Sequence, residues 1–391
     1  MNYFSKALSS PIDTNFPIAT SQLVRMQLEK MFSDYATFSR MHGTKRVDIN
    51  ISDEMVFFSH VPEASSLFFA RISKIDLIEH KAWYAFNVEL IAFLLGFIQE
   101  IDISIEKLSL PVKVLGHTYA GSICVKGRTG WVKISDSQAY EVMYQSVEVA
   151  GFGIRWVDAC LDTSFFDHSG TIPFLISEPI DLDLDPINID LNTPGIHSSE
   201  YSIFSKQIIS ALQFLQEASE EYFLWVIYNC REFGPLMKPG KYGTASRTSL
   251  LYPGHAGINS HASLIESLNM LVHECSHLYF HLLHFSFPVC ERDAPACYSI
   301  LKDTKRPLVN VLLGFHAFSN VLILLKSLNK SEANQVCEQE LSFNINYVEN
   351  TVASLDKELD AHKHYLIKES GRVIYEHLKM RLEDHQYLCQ A

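Results

Sequence analysis

Two histidines and a glutamate in the stretch Leu271 to Phe280, LVHECSHLYF, carry the strongest chemical signal in this chain of 391 residues. His273 and His277 are four positions apart. On an α-helix that spacing sets two side chains one turn apart on one face, so two imidazole nitrogens can address a single ion at about 2.0–2.1 Å. Glu274 projects about 100° further round such a helix. There it sits beside the ion, able to take a proton from metal-bound water or to hold a ligand by a hydrogen bond. The competing reading is a pair of core histidines hydrogen-bonded to backbone carbonyls. The segment ASLIESLNMLVHECSHLYFHLLHF, residues 262–285, contains neither Gly nor Pro, and Asn259 and Ser260 offer capping side chains upstream, so a helix is expected over it. His281 and His284 extend the same stripe, but two further turns carry them away from the ion, and packing or support of the ligands is their expected role.

Two helical histidines leave a coordination shell open, and three sources can close it. His316 lies in PLVNVLLGFHAFSNVLILL, an apolar helix that Pro307 is expected to open at its first position. An imidazole there needs a partner, which makes it the leading candidate. Glu291 and Asp293, in CERDAP, would supply the carboxylate of a two-histidine, one-carboxylate set, against the alternative of simple surface exposure. His255 or His261, in the loop before the metal helix, can also approach. The eight cysteines contain no C-x-x-C pair. They are expected to be reduced thiols, with Cys290 and Cys297 the closest two in sequence.

The elements that must position these residues follow from periodicity. Helical spacing of apolar residues runs through SQLVRMQLEKMFSDYATFSRM and KAWYAFNVELIAFLLGFIQEI, so residues 1–108 form a helical N-terminal region. Residues 109–195 are rich in Val, Ile, Tyr and Phe with glycine punctuation, which predicts short strands. Residues 196–391 return to helical spacing and carry the metal motif. The fold class expected is α+β, with a helical N-terminal part, a strand-rich middle and a mostly helical C-terminal metal-binding part, compatible with one continuous domain. EPIDLDLDPINIDLNTPG reads as an extended edge or linker in which Asp181, Asp183 and Asp185 face water or, less simply, chelate a hard cation. KPGKYGTASRTSLLYPGHAGINS reads as a loop, a brief strand and a second loop suited to lining a cleft.

Composition excludes several classes. With 47% hydrophobic and 20% charged residues the chain has the make-up of an ordinary globular protein. Its net charge of -13, from 45 acidic against 32 basic residues, argues against nucleic acid phosphates or anionic membranes as partners. The N-terminus lacks the apolar run of a signal peptide, and the two most apolar windows read as buried helices, so a cytoplasmic location is expected.

The residues LNMLVHECSHLYFHLL, with SRTSLLYPGHAG upstream and KRPLVNVLLGFHAF downstream, resemble in order and spacing the HExxH-motif proteins of bacterial peptide-modification clusters, which are 2-oxoglutarate-dependent peptide β-hydroxylases. The resemblance covers residues 240 to 325. It implies iron(II) held by His273, His277 and His316, with 2-oxoglutarate and dioxygen as cosubstrates and a ribosomally made precursor peptide as the hydroxylated partner. It also implies a cation for the far carboxylate of 2-oxoglutarate, for which Arg306 in KRPL and Arg247 in ASRTS are candidates. If Arg306 begins the helix holding His316, its backbone stands about 15 Å from that histidine along the axis, which favours Arg247. Glu274 is then a residue that orients water or a ligand rather than a hydrolytic base. By residue types alone, a zinc metallopeptidase with Glu274 as general base and Glu291 or Asp293 as third ligand stands beside this reading, and a non-catalytic peptide-binding protein is a third. Peptide docking by strand addition to the strand-rich middle or to SRTSLLYPGHAG is the expected mode of substrate capture.

Overall fold

The computed structural model describes residues 1–12, 14–43, 67, 76–110, 112–115, 117–119, 121–136, 141–149, 153–158, 175–176, 199–236, 246–248, 253–328 and 338–387. The N-terminal helices are α1 (Asn2–Ala7), α2 (Phe16–His42) and α3 (Lys81–Leu94). Strands follow: β1 (Glu100–Ile105), β2 (Val112–Val114), β3 (His117–Tyr119), β4 (Ile123–Arg128), β5 (Trp131–Asp136), β6 (Glu141–Val149), β7 (Gly153–Asp158) and β8 (Leu175–Ile176). Helices α4 (Ser199–Ala218) and α5 (Glu220–Asn229) lead to β9 (Glu232–Pro235), β10 (Ser246–Arg247) and β11 (His255–Ile258). The chain closes with α6 (Leu264–Ser286), β12 (Ala296–Ser299), β13 (Thr304–Pro307), α7 (Leu308–Leu328), α8 (Glu338–His362) and α9 (Gly371–Tyr387). The fold is α+β, helical at both ends and strand-rich between.

Two compact units share the chain, each drawn from separated stretches: Met1–Leu23, Ser202–Asn229 and Ile258–Ala391 in one, Val24–Tyr201 and Cys230–Gly257 in the other. In the second unit β1-β4-β5-β6-β7 form an antiparallel sheet. The alternating burial of β4, with Ile123, Val125 and Gly127 inward, is the period of two that covers one face of a sheet. Helix α3 lies on that face, and a Cβ added at Gly127 would fall 2.7 Å from the Phe93 ring. The Trp156 indole N–H donates to the Leu94 carbonyl at 2.9 Å. Among the described residues a second sheet has the order β10-β11-β9-β8.

Helix α3 stops at Leu94, short of the expected run through residue 101. Gly96 takes φ +79°, and the amides of Gly96 and Phe97 bond back to the carbonyls of Phe93 and Ala92 at 2.9 and 2.8 Å. This is a left-handed helix stop of the Schellman type, which frees the chain to begin β1.

In the first unit α7 is apolar all round, the pattern of an interior helix. It packs against α6, α8 and α9. Although α7 is long and apolar enough to span a bilayer, 78% of its most apolar window is buried against these neighbours. Pro307 closes strand β13 instead of opening α7, because Ala296–Ser299 and Thr304–Pro307 pair as an antiparallel hairpin in which Cys297 faces Arg306. Among the described residues Cys124, Cys230, Cys275, Cys290 and Cys297 are free thiols. Asp181, Asp183, Asp185 and most of the KPGKYGTASRTSLLYPG stretch lie outside the described residues.

Candidate metal centre

The HExxH segment is helical, as its spacing predicts, within α6. The helix begins two residues later than expected, and its cap is Ser263, not Asn259 or Ser260. The Ser263 hydroxyl accepts the Glu266 amide at 3.1 Å, while the Glu266 carboxylate accepts the Ser263 amide at 3.0 Å. Such a reciprocal pair satisfies two helix-end donors and fixes where the helix starts, and so which side chains share a face.

One side of α6 is anchored to α5. The Tyr279 hydroxyl and the Cys275 thiol both donate to the Trp225 carbonyl, at 3.0 and 3.1 Å. The Tyr279 and Trp225 rings stack 3.6 Å apart. With that side fixed, the stripe of His273, His277 and His281 is set towards the other. The His273 and His277 rings meet edge to face at 4.5 Å, and His277 and His281 lie 6.2 Å apart.

Helix α7 supplies the third histidine. His316 is completely buried. Its ring lies 5.8 Å from Phe280, and two residues on Phe318 packs against His273 at 4.7 Å. The His316 Nε2 stands 2.9 Å from the Leu8 carbonyl. A carbonyl only accepts, so Nε2 carries the proton and the lone pair of the neutral ring resides on Nδ1. That Nδ1 is buried without a hydrogen-bond partner, as is Nδ1 of His277. A buried acceptor left bare costs about 1–3 kcal/mol, and an ion is one of the few things that relieves it. A histidine whose second nitrogen donates to a backbone carbonyl is in the tautomer typical of a metal ligand. The donor set therefore fits an imidazole-preferring metal. Among the described residues, however, these three histidines do not hold one ring nitrogen each within 4.8 Å of one another.

Burial dominates the electrostatics. It pushes the basicity of His316 and of His273 down to about 4 in each case, with the charge of His316 adding to the effect on His273. His277 is held well below the usual histidine range by burial, and then by the neighbouring charges of His273, His281, His316 and Arg306. All three imidazoles are thus neutral near pH 7, the state in which histidine binds metal.

The remaining candidates separate clearly. Arg306 sits half-buried on β13 rather than on α7. Helix α7 begins at Leu308, so about 12 Å of rise still separates its start from His316, while the charge of Arg306 acts on His277. Arg247, on β10, and the buried His255, on β11, belong to the other compact unit. His261 is exposed at φ +68°, its amide donating to the Gln207 side chain at 2.9 Å. Glu291, Asp293 and His284 are exposed, and Glu274 is buried beside His273. No residue pattern marks Leu8 as the partner of His316. The clue available was Asn320, four residues after His316 and therefore on its face, which donates to the Ser9 carbonyl at 2.8 Å and holds the same N-terminal segment. No protein-family model and no curated protein matches the chain.

Proposed function

We propose that the protein is an iron(II)- and 2-oxoglutarate-dependent oxygenase that hydroxylates a side-chain carbon of a ribosomally made precursor peptide. The observation that carries the reading is the bare, buried Nδ1 of His316, its other nitrogen committed to Leu8, near two neutral histidines one turn apart on α6. His273, His277 and His316 would hold the ion. Bound there, iron(II) with 2-oxoglutarate would supply two of the four electrons that reduce dioxygen, the peptide C–H bond the other two, with one oxygen atom ending in succinate and the other in the new hydroxyl.

The chain's own residues do the rest. Arg306 offers a guanidinium fork for the far carboxylate of 2-oxoglutarate, and its electrostatic reach to His277 supports that role over Arg247. Glu274, buried next to His273, is suited to orient water or a ligand. Phe280 and Phe318 pack apolar rings against His316 and His273, lowering the polarity of their surroundings. A zinc peptidase closed by Glu291 or Asp293 is less well supported, since both carboxylates face solvent.

Anaerobic reconstitution with iron(II), followed by 2-oxoglutarate, tests the reading. A weak visible charge-transfer band on adding 2-oxoglutarate, absent in His316→Ala, is expected. No band, together with chelator-sensitive peptide cleavage, would replace the oxygenase with a peptidase.

A further inference from the structure

Away from the three histidines, the first unit gathers a second set of ligating side chains. Glu358 and His362 are four residues apart on α8, hence on one face. Cys297, on β12, approaches them from the hairpin. The Cys297 sulfur, a Glu358 oxygen and a His362 ring nitrogen all lie within 4.8 Å of one another. Cys297 is 2% exposed and the other two are half-buried.

Hydrogen bonds decide which lone pairs remain. The His362 Nδ1 lies 2.9 Å from the Glu358 carbonyl, which can only accept, so Nδ1 carries the proton and Nε2 is bare. The Tyr298 amide donates to Glu358 Oε2 at 3.2 Å, leaving Oε1 free to turn inward. The Cys297 thiol points to the Pro295 carbonyl at 3.5 Å, a long and weak contact for sulfur that is easily given up. Each group is thus oriented through one atom and open at another, the arrangement that metal ligands show with their supporting partners.

We propose that Cys297, Glu358 and His362 form a second metal site, selective for zinc, that ties the β12–β13 hairpin to the C-terminal end of α8. One thiolate, one imidazole and one carboxylate make a borderline-soft set of the kind zinc takes, with water completing a tetrahedron. Bonds of about 2.0–2.3 Å bring such ligands to about 3–4 Å from one another, a small contraction of the spacing seen. Binding exchanges the thiol proton for the ion: the S–H bond breaks, an S–Zn bond forms and one proton is released to solvent. Burial and the Glu358 charge push the Cys297 thiol up, against a smaller opposing effect of Lys305, so that proton is present until metal displaces it. Because Cys297 faces Arg306 across the hairpin, the ion would also steady the strand that carries this arginine. The proposal does not depend on the oxygenase reading.

Cobalt(II) loaded into the full chain tests it, because a thiolate bound to cobalt gives an intense near-ultraviolet charge-transfer absorption that an all-histidine site cannot give. The wild type is expected to show this absorption and to lose it on adding zinc. It should persist in His277→Ala and in Cys290→Ser, whose thiol lies outside the three-atom group, and vanish in Cys297→Ser. In the His277→Ala background, zinc should raise the melting temperature while Cys297 is present and leave it unchanged once Cys297→Ser is added. Folded wild type that takes up cobalt without thiolate absorption overturns the proposal, whatever the variants do. Retention of the absorption in Cys297→Ser, or its loss in Cys290→Ser, overturns the assignment equally.

Discussion

Replacing His316 by Gln tests the buried imidazole through its proton, without any metal. Gln can still offer a side-chain N–H to the Leu8 carbonyl but cannot take a proton in this range. In the folded wild type the basicity of His316 falls from the ordinary 6.5 to about 4, chiefly because the ring is completely buried. The unfolded chain, which protonates near the ordinary value, therefore binds more protons throughout that window. Stability from this group is complete above about pH 6.5 and is lost as pH falls towards 4. Between about pH 7 and about pH 4.5 the loss amounts to about 2 kcal/mol. Full burial means that no solvent-screening discount applies. Urea unfolding of chelator-treated protein at both pH values gives the number directly. The wild type should lose about 2 kcal/mol more than His316→Gln over this interval. Parallel pH profiles for the two proteins, or a His316 ring that titrates near 6.5 by NMR, would refute the reasoning.

Other perturbations follow from the same geometry. Arg306→Met should weaken 2-oxoglutarate binding about 10–100-fold, read by titrating the charge-transfer band, while iron stoichiometry is unchanged. Glu274→Gln should leave iron binding intact and reduce hydroxylation modestly, whereas a hydrolytic base would lose about 10²–10⁴ of its rate, so turnover of the variant separates the two roles. Gly371→Ala should lower the unfolding free energy by about 1–3 kcal/mol in urea. A Cβ there falls 2.1 Å from the Val289 carbonyl oxygen, which is fixed by accepting the Ile367 amide at 3.0 Å.

What the sequence made legible was local. The four-residue spacing of His273 and His277 on an uninterrupted apolar helix is a property of one segment, and α6 forms around it. The apolar runs at both ends and the valine-rich middle likewise report period and burial, which is why the α+β class could be read. Boundaries were set by features of a few residues. Ser263 and Glu266 spell a capping box four positions beyond Asn259, a pattern present in the letters that outcompetes the polar pair Asn259 and Ser260. Gly96 ends α3 inside a hydrophobic run where periodicity alone continues.

Long-range pairing was not legible. The partner of His316 is a backbone carbonyl 308 residues away, and carbonyls leave no mark in a sequence. Strand β13, TKRP, has no alternation of apolar and polar residues to announce it; it exists because Ala296–Ser299 pairs with it, and that pairing moves Arg306 off the helix. Cys297, Glu358 and His362 come from elements about sixty residues apart that only tertiary packing unites. The division into two units, each built from separated stretches, is likewise a matter of which faces meet and not of local texture.

The most direct measurement is the iron content of anaerobically reconstituted protein, compared among wild type, His273→Ala, His277→Ala and His316→Ala, with circular dichroism confirming that each is folded. One ion lost on removing any of the three imidazoles is the predicted result: about one tightly held iron per wild-type chain and none in the variants. Unchanged iron in folded His277→Ala or His316→Ala would contradict it.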